Sequence, residues 1–172
     1  MSVRILIDSL DFVKNTGVRH GKIAIVELAR LHDLLFDQSG ELNFQVAGLF
    51  DKNENPRLYL EIQGDLQLNC HRCLDKLTRR IDIKASLLLA KDEEELSRFD
   101  DDDTFDAILA MPDLDVINLI EDEILLSLTI SAHHDDGECH LHNSETEYTY
   151  SADPTKSKHP FAALAALKNK IK

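Results

Sequence analysis

The sequence predicts an α+β fold: an antiparallel β-sheet, open or barrel-like, packed by two helices. A flexible acidic C-terminal segment and a short terminal helix follow. Three observations carry this. Apolar residues alternate with others through Leu42, Phe44 and Val46, through Leu58, Leu60 and Ile62, and through Leu66, Leu68 and Cys70, the period of half-buried strands. Apolar residues recur at spacings of three and four over 22–36 and 115–128, the period of amphipathic helices. Beyond residue 132 the pattern stops, and Ser, Thr, Asp, Glu and His take over, a composition too polar to bury.

In chain order, Ile5-Leu6-Ile7 is a short candidate strand. Ile23, Val26, Leu28, Leu31, Leu34 and Leu35 mark a helix from Lys22 to Phe36 that Gly40 would end. The strands over 42–46 and 58–62 are joined by a turn at 51–56, and Gln63-Gly64-Asp65 reads as a bend or bulge. Leu77, Arg79, Ile81, Ile83, Ala85, Leu87 and Leu89 share one parity and form a long strand, which leaves Cys70-His71-Arg72-Cys73 in a strand-to-strand turn. The acid-rich block 92–103 reads as a solvated loop because consecutive like charges resist burial. Residues 104–109 are a short candidate strand, and Asp115 is a candidate N-cap for the helix that follows. The predicted organisation is a globular unit over 1–132, a flexible polar segment over 133–159 and a docking helix over 160–172. In that helix Phe161, Leu164 and Leu167 form a stripe and Lys168 begins a basic end.

Composition narrows the function. The formal net charge is -13, so non-specific binding of phosphate backbones by the whole surface is disfavoured and a basic protein partner is easier to accept. The chain has no long apolar run, so no membrane span is expected. Asp8 interrupts the N-terminal apolar stretch too early for a signal peptide. Three cysteines are an odd number for a disulfide framework. Together these point to a reducing, cytoplasmic setting. No Gly-rich phosphate loop and no nucleophile elbow occur, and the chain reads as a non-enzyme.

Two clusters stand out. Cys70 and Cys73, with His134 and Cys139 downstream, make four ligands of the kind zinc takes. His133, His140 or His142 could replace His134, and three reduced, unliganded thiols are the alternative. Around the Cys pair, Arg72, Lys76, Arg79, Arg80 and Lys84 gather positive charge. They are either an RNA- or partner-binding patch or an ordinary solvated strand face paired with nearby acids.

Four motifs in order resemble the YceD family, the large ribosomal RNA subunit accumulation proteins. They are Gly64-Asp65-Leu66 running into Cys70-His71-Arg72-Cys73, the helix Val116 to Leu128 with Glu121-Asp122-Glu123, the His134 to Cys139 segment, and His159-Pro160-Phe161 through Leu167-Lys168. Ser127-Leu128-Thr129-Ile130 stands where the family usually has a Leu-Pro pair, which bears on the turn after the helix. The resemblance implies a bacterial cytosolic factor for 23S rRNA accumulation and large-subunit biogenesis. It would bind a large-subunit ribosomal protein or pre-ribosomal 23S rRNA, and the resemblance establishes no catalytic residues. The competing reading is a metal-dependent nuclease or hydrolase of rRNA maturation, with His133, His134, Asp135 and Asp136 as ligands.

Overall fold

A computed structural model describes residues 4–100 and 106–139, all within one contact unit. The α+β expectation holds, with a sheet that stays open. Strand β1 (Leu6–Ile7) is followed by helix α1 (Ser9–Lys14), then β2 (Val18–Ala24), β3 (Leu35–Asp37), β4 (Glu41–Phe50), β5 (Pro56–Asn69) and β6 (Lys76–Ala90). Helix α2 (Glu93–Asp100), β7 (Asp106–Leu109), β8 (Leu114–Asp115) and helix α3 (Val116–Ser127) complete the described chain. The main sheet runs β2-β4-β5-β6-β7, with β3 beside β5, while β1 and β8 form a separate pair. All pairs are antiparallel except β6 with β7, which is parallel.

The alternation read from the sequence sorts the two faces. Leu42, Phe44 and Val46 of β4 and Leu58, Leu60, Ile62, Leu66 and Leu68 of β5 are buried. They meet Ile81, Leu87 and Leu89 of β6 and the Val116, Ile117, Leu119, Ile120 and Ile124 side of α3 in one core. Asp115 caps α3, its carboxylate accepting from the Ile117 N–H at 3.0 Å. Ser9, fully buried, ties the start of α1 to Met111 by donating its hydroxyl to the Met111 carbonyl and accepting from the Met111 N–H.

At Gly64 the strand β5 changes neighbour. Its pairing with β4 ends at Gln63, and β3 takes over at Gln67, while pairing with β6 continues without a shift. Here φ is +155°, and a Cβ would stand 2.5 Å from Leu42 Cδ2 and 3.2 Å from the Glu41 carbonyl oxygen. The expected bend is thus a close crossing of chains that leaves no room for a side chain.

Two expectations are corrected. Residues 22–36 are not one α-helix. The stretch holds the end of β2, two 3-10 helices (Ile25–Glu27 and Ala29–Leu34) and the start of β3. Ile25, Leu28 and Leu31 are fully buried and three apart, whereas Val26 is 56% exposed; a spacing of three is the period of a 3-10 helix. The acid block is not wholly a loop either. Glu93, Glu94 and Glu95 form the first turn of α2, where the helix dipole favours negative charge. Asp92 accepts from the Glu95 N–H at 2.8 Å, and the Glu95 carboxylate accepts from the Lys91 N–H at 2.7 Å. This is close to a capping box, a signal present in the sequence as Asp-x-x-Glu.

The Glu121-Asp122-Glu123 run divides its labour. Glu121, 3% exposed, accepts from the Arg30 backbone N–H at 3.0 Å and so caps the second 3-10 helix from across the core. Asp122 pairs with the Arg30 guanidinium. The Glu123 carboxylate has no hydrogen bond or ion pair among the described residues.

Candidate metal centre

The predicted strand-to-strand turn is the loop between β5 and β6. Cys70 N–H donates to the Asp75 carbonyl at 2.9 Å and Leu74 N–H to the Cys70 carbonyl at 2.8 Å. Closing the loop so tightly puts Leu74, 72% exposed, at φ +62°, a left-handed conformation that costs a side-chain-bearing residue about 1–2 kcal/mol.

Beyond α3 the chain returns to this loop. The His71 N–H donates to the Ala132 carbonyl at 2.8 Å. Arg72 and Asp136 form an ion pair at 3.2 Å. His134 Nε2 stands 3.1 Å from the Lys76 carbonyl oxygen. A carbonyl can only accept, so Nε2 carries the hydrogen, a contact that raises the imidazole above its ordinary value; when the ring is neutral, Nδ1 is the lone pair. That lone pair faces Cys73 Sγ at 3.4 Å and Cys139 Sγ at 3.8 Å. An imidazole held by a carbonyl on one nitrogen and aimed at thiols with the other is the arrangement of a metal-binding histidine and its outer partner.

The ligand atoms of Cys70, Cys73, His134 and Cys139 all lie within 4.8 Å of one another. Sulfurs about 2.3 Å from a central zinc at tetrahedral angles stand about 3.8 Å apart, and a sulfur and an imidazole nitrogen about 3.6 Å apart. Cys70 and Cys139 are 3.8 Å apart, against the 3.4 and 3.8 Å of the sulfur–nitrogen pairs. The same 3.8 Å is far longer than a disulfide bond, and all three cysteines are free. The donor set therefore fits a tetrahedral Cys3His site.

Electrostatics already prepare one thiolate. Burial pushes the Cys70 thiol up, but backbone N–H groups of Cys73, His134 and Arg72 aimed at the sulfur outweigh it and hold the value at about 5. Burial and the neighbouring Cys70 and Cys139 sulfurs push the Cys73 thiol up to about 11. Thiols crowded together resist a second negative charge, and a divalent cation between them removes that resistance.

The geometry selects among the histidines. His133 Nδ1 faces the His134 carbonyl oxygen at 3.0 Å, so it donates there and is turned away from the thiols; His140 and His142 lie outside the described residues. Segment 133–139 sits against the hairpin through these contacts.

Lys76, Arg80 and Lys84 share one face of β6. On the outer face of the hairpin Arg80 stands opposite Asp65 and Lys84 opposite Glu61, the latter an ion pair at 3.6 Å. Lys76 is opposite Asn69, and Arg79 lies on the other face opposite Leu66. Phe161, Leu164, Leu167 and Lys168 lie outside the described residues. Glu121, buried and bonded across the core, was not singled out by sequence reasoning; an acid amid apolar neighbours was the available signal.

Among the described residues no helix is long and apolar enough to cross a membrane. A family model described as Large ribosomal RNA subunit accumulation protein YceD matches residues 58–168, which takes in β5 from Leu58 on, the hairpin loop, α3 and the His134–Cys139 segment. No solved structure matches the chain.

Proposed function

The chain belongs to the YceD family, and from that membership we propose that it is a non-enzymatic factor for 23S rRNA accumulation and large ribosomal subunit biogenesis. It acts in the cytoplasm by binding a large-subunit ribosomal protein or pre-ribosomal 23S rRNA. The family match is the observation that carries this reading. Zinc held by Cys70, Cys73, His134 and Cys139 serves it structurally, by stapling the chain after α3 to the β5–β6 loop. Arg79 and Arg80, which have no ion pair among the described residues, are the hairpin cations assigned to a partner, with Phe161, Leu164, Leu167 and Lys168 as a second contact.

The geometry favours this over a metal-dependent hydrolase. A hydrolase site keeps a coordination position open for water, whereas three thiols and one imidazole fill a tetrahedron. Of the ligands such an enzyme would use, His133 turns to backbone and Asp136 pairs with Arg72.

Deleting the gene should lower 23S rRNA relative to 16S rRNA, and the tagged protein should co-sediment with large-subunit precursors. In-cell crosslinking would then separate ribosomal protein from rRNA as the direct partner. Normal rRNA ratios together with sedimentation away from all precursors would reject the reading.

A further inference from the structure

Between β7 and α3 the core does not close. A cleft of about 730 Å³ opens there, floored by Leu87, Ile108, Leu119, Leu125 and Leu126 and rimmed by Asp106, Asp122 and Glu123. Its neighbour, about 520 Å³, shares Arg30, Ile108, Leu119 and Asp122 and adds Met111, Asp113 and Asp115. Leu126 is 81% exposed and Met111 42% exposed, so each cleft leaves one large apolar side chain in water beside a formed core. The rim charge is one-sided. Arg30 is the single cation in either lining, and it is already paired with Asp122. Burial, and then the Asp106 and Asp122 charges, push the Glu123 carboxyl above its usual range, so Asp106 and Glu123 stand beside the Arg30–Asp122 pair with no counter-ion of their own among the described residues. Four aspartates, Asp100 to Asp103, precede this stretch in the sequence.

We propose that the cleft between β7 and α3 docks a cationic amphipathic segment of a protein partner. Its apolar side chains would lie on Ile108, Leu119, Leu125 and Leu126, and its lysine or arginine groups on Asp106 and Glu123, beside the Arg30–Asp122 pair. Charge complementarity selects this occupant. A nucleic acid would bring phosphates to carboxylates, and an uncharged apolar peptide would leave the rim acids facing one another. An apolar floor between charged walls is how grooves take one face of a helical peptide. Acids spaced along the rim give such a groove preference for cations and a faster encounter. The proposal deepens the reading above by supplying a surface for a basic ribosomal protein, and it rests on that reading for the partner's identity alone.

The test uses the full chain, isotope-labelled, and a short lysine–leucine peptide with leucines at helical spacing. The comparison probes are a scrambled peptide of the same composition and an RNA oligonucleotide. The patterned peptide should move the resonances of Ile108, Leu125, Leu126 and Glu123, and the scrambled one should bind at least about tenfold more weakly. Asp106→Asn with Glu123→Gln should weaken binding about tenfold and flatten its salt dependence. Leu126→Ser, at an exposed position that folding does not need, should weaken it about as much. Equal binding of the scrambled peptide would overturn the proposal, since a chain of charge -13 attracts any polycation. So would shifts elsewhere, variants that bind like wild type, or the RNA moving the same resonances. Concentration-dependent dimers lost in Leu126→Ser would assign the cleft to a second copy. Cleft resonances that move in the free chain on substituting Phe161 and Leu164 would assign it to the chain's own C-terminal segment. Either outcome overturns the proposal. None of these readouts depends on rRNA levels, so failure here and failure of the rRNA reading are distinguishable.

Discussion

Removing zinc should loosen one corner of the molecule and leave the sheet standing. The core of β4, β5, β6 and α3 contains none of the four ligands except Cys70 at its edge, so the fold does not depend on metal as a small zinc finger does. What the metal would hold is the return of the chain after α3, otherwise fixed by the His71–Ala132, His134–Lys76 and Arg72–Asp136 contacts. A ligand that binds only the folded state at a thousand times its Kd adds about 4 kcal/mol. For a chain of this size each kcal/mol moves Tm by about 2–4 °C. Saturating zinc should therefore raise Tm by about 8–16 °C over the chelated protein, and Cys73→Ser should remove most of that gain. Hydrogen exchange locates the effect. On chelation the His71 amide should lose protection, while the amides of Leu60 and Ile62 in β5 keep theirs. Purified protein with well under one zinc per chain and a chelator-insensitive Tm would refute metal binding. Chelation that unprotects Leu60 and Ile62 would refute the view of the metal as a staple on a self-sufficient core.

Three further outcomes follow from named contacts. Glu121→Ala should cost about 1–3 kcal/mol in urea unfolding, because it strands the Arg30 N–H it now accepts from; Glu121→Gln, which keeps an acceptor, should cost clearly less, and equal costs would contradict the capping role. Leu74→Gly should raise stability by about 0.5–1 kcal/mol, the left-handed strain relieved less the entropy glycine adds to the unfolded chain; a lower Tm would count against strain in that loop. The N–H groups of Asn55 and Asn53 and the Arg57 guanidinium, acting against burial, hold the Asp51 carboxyl at about 2, below its ordinary 3.8. Its contribution is full above the unfolded value and is lost as pH falls through about 2. Asp51→Asn should therefore destabilise at neutral pH, with the gap to wild type narrowing between about pH 4 and pH 2; a gap constant over that range would show that the charge is not what matters.

Legibility followed the range of the interactions. Strand alternation is local, so Leu42 to Val46, Leu58 to Leu68 and Ile81 to Leu89 announced themselves, and the two cysteines of the loop came with them. Two local elements fold otherwise than they read, one through its period and one through its charge. Ile23, Val26, Leu28, Leu31, Leu34 and Leu35 read as a helix face; with Val26 exposed and Ile25 buried instead, the buried set Ile25, Leu28 and Leu31 has a pure spacing of three. The Asp92 and Glu95 pair carried a helix-start signal that the repulsion argument overrode, although acids in a first turn are favoured. The parallel pairing of β7 with β6 had no local signature at all, and with it the acid-rimmed cleft beside α3 was out of sight.

The choice of His134 over His133 shows where sequence stops being enough. Both are adjacent, both are histidine, and either spacing to Cys139 suits a metal. The difference lies in which carbonyl each ring meets. Lys76, at the start of β6, offers its carbonyl to His134 Nε2, and that single contact turns Nδ1 toward the thiols. The Lys76 carbonyl stands there because the loop folds back at Cys70 and Leu74, and His134 reaches it because the Ala132 carbonyl is pinned by His71. The ligand is therefore selected by backbone groups around it, the Lys76 carbonyl, the closed Cys70–Leu74 loop and the Ala132 carbonyl, and not by its spacing in the sequence. This separates two substitutions that look alike on paper. His133→Ala should leave zinc stoichiometry and Tm unchanged, whereas His134→Ala should lose most of the zinc-dependent gain in Tm. Equal effects of the two would mean that the imidazole is not chosen by its orientation, and the Cys3His assignment would fall with it.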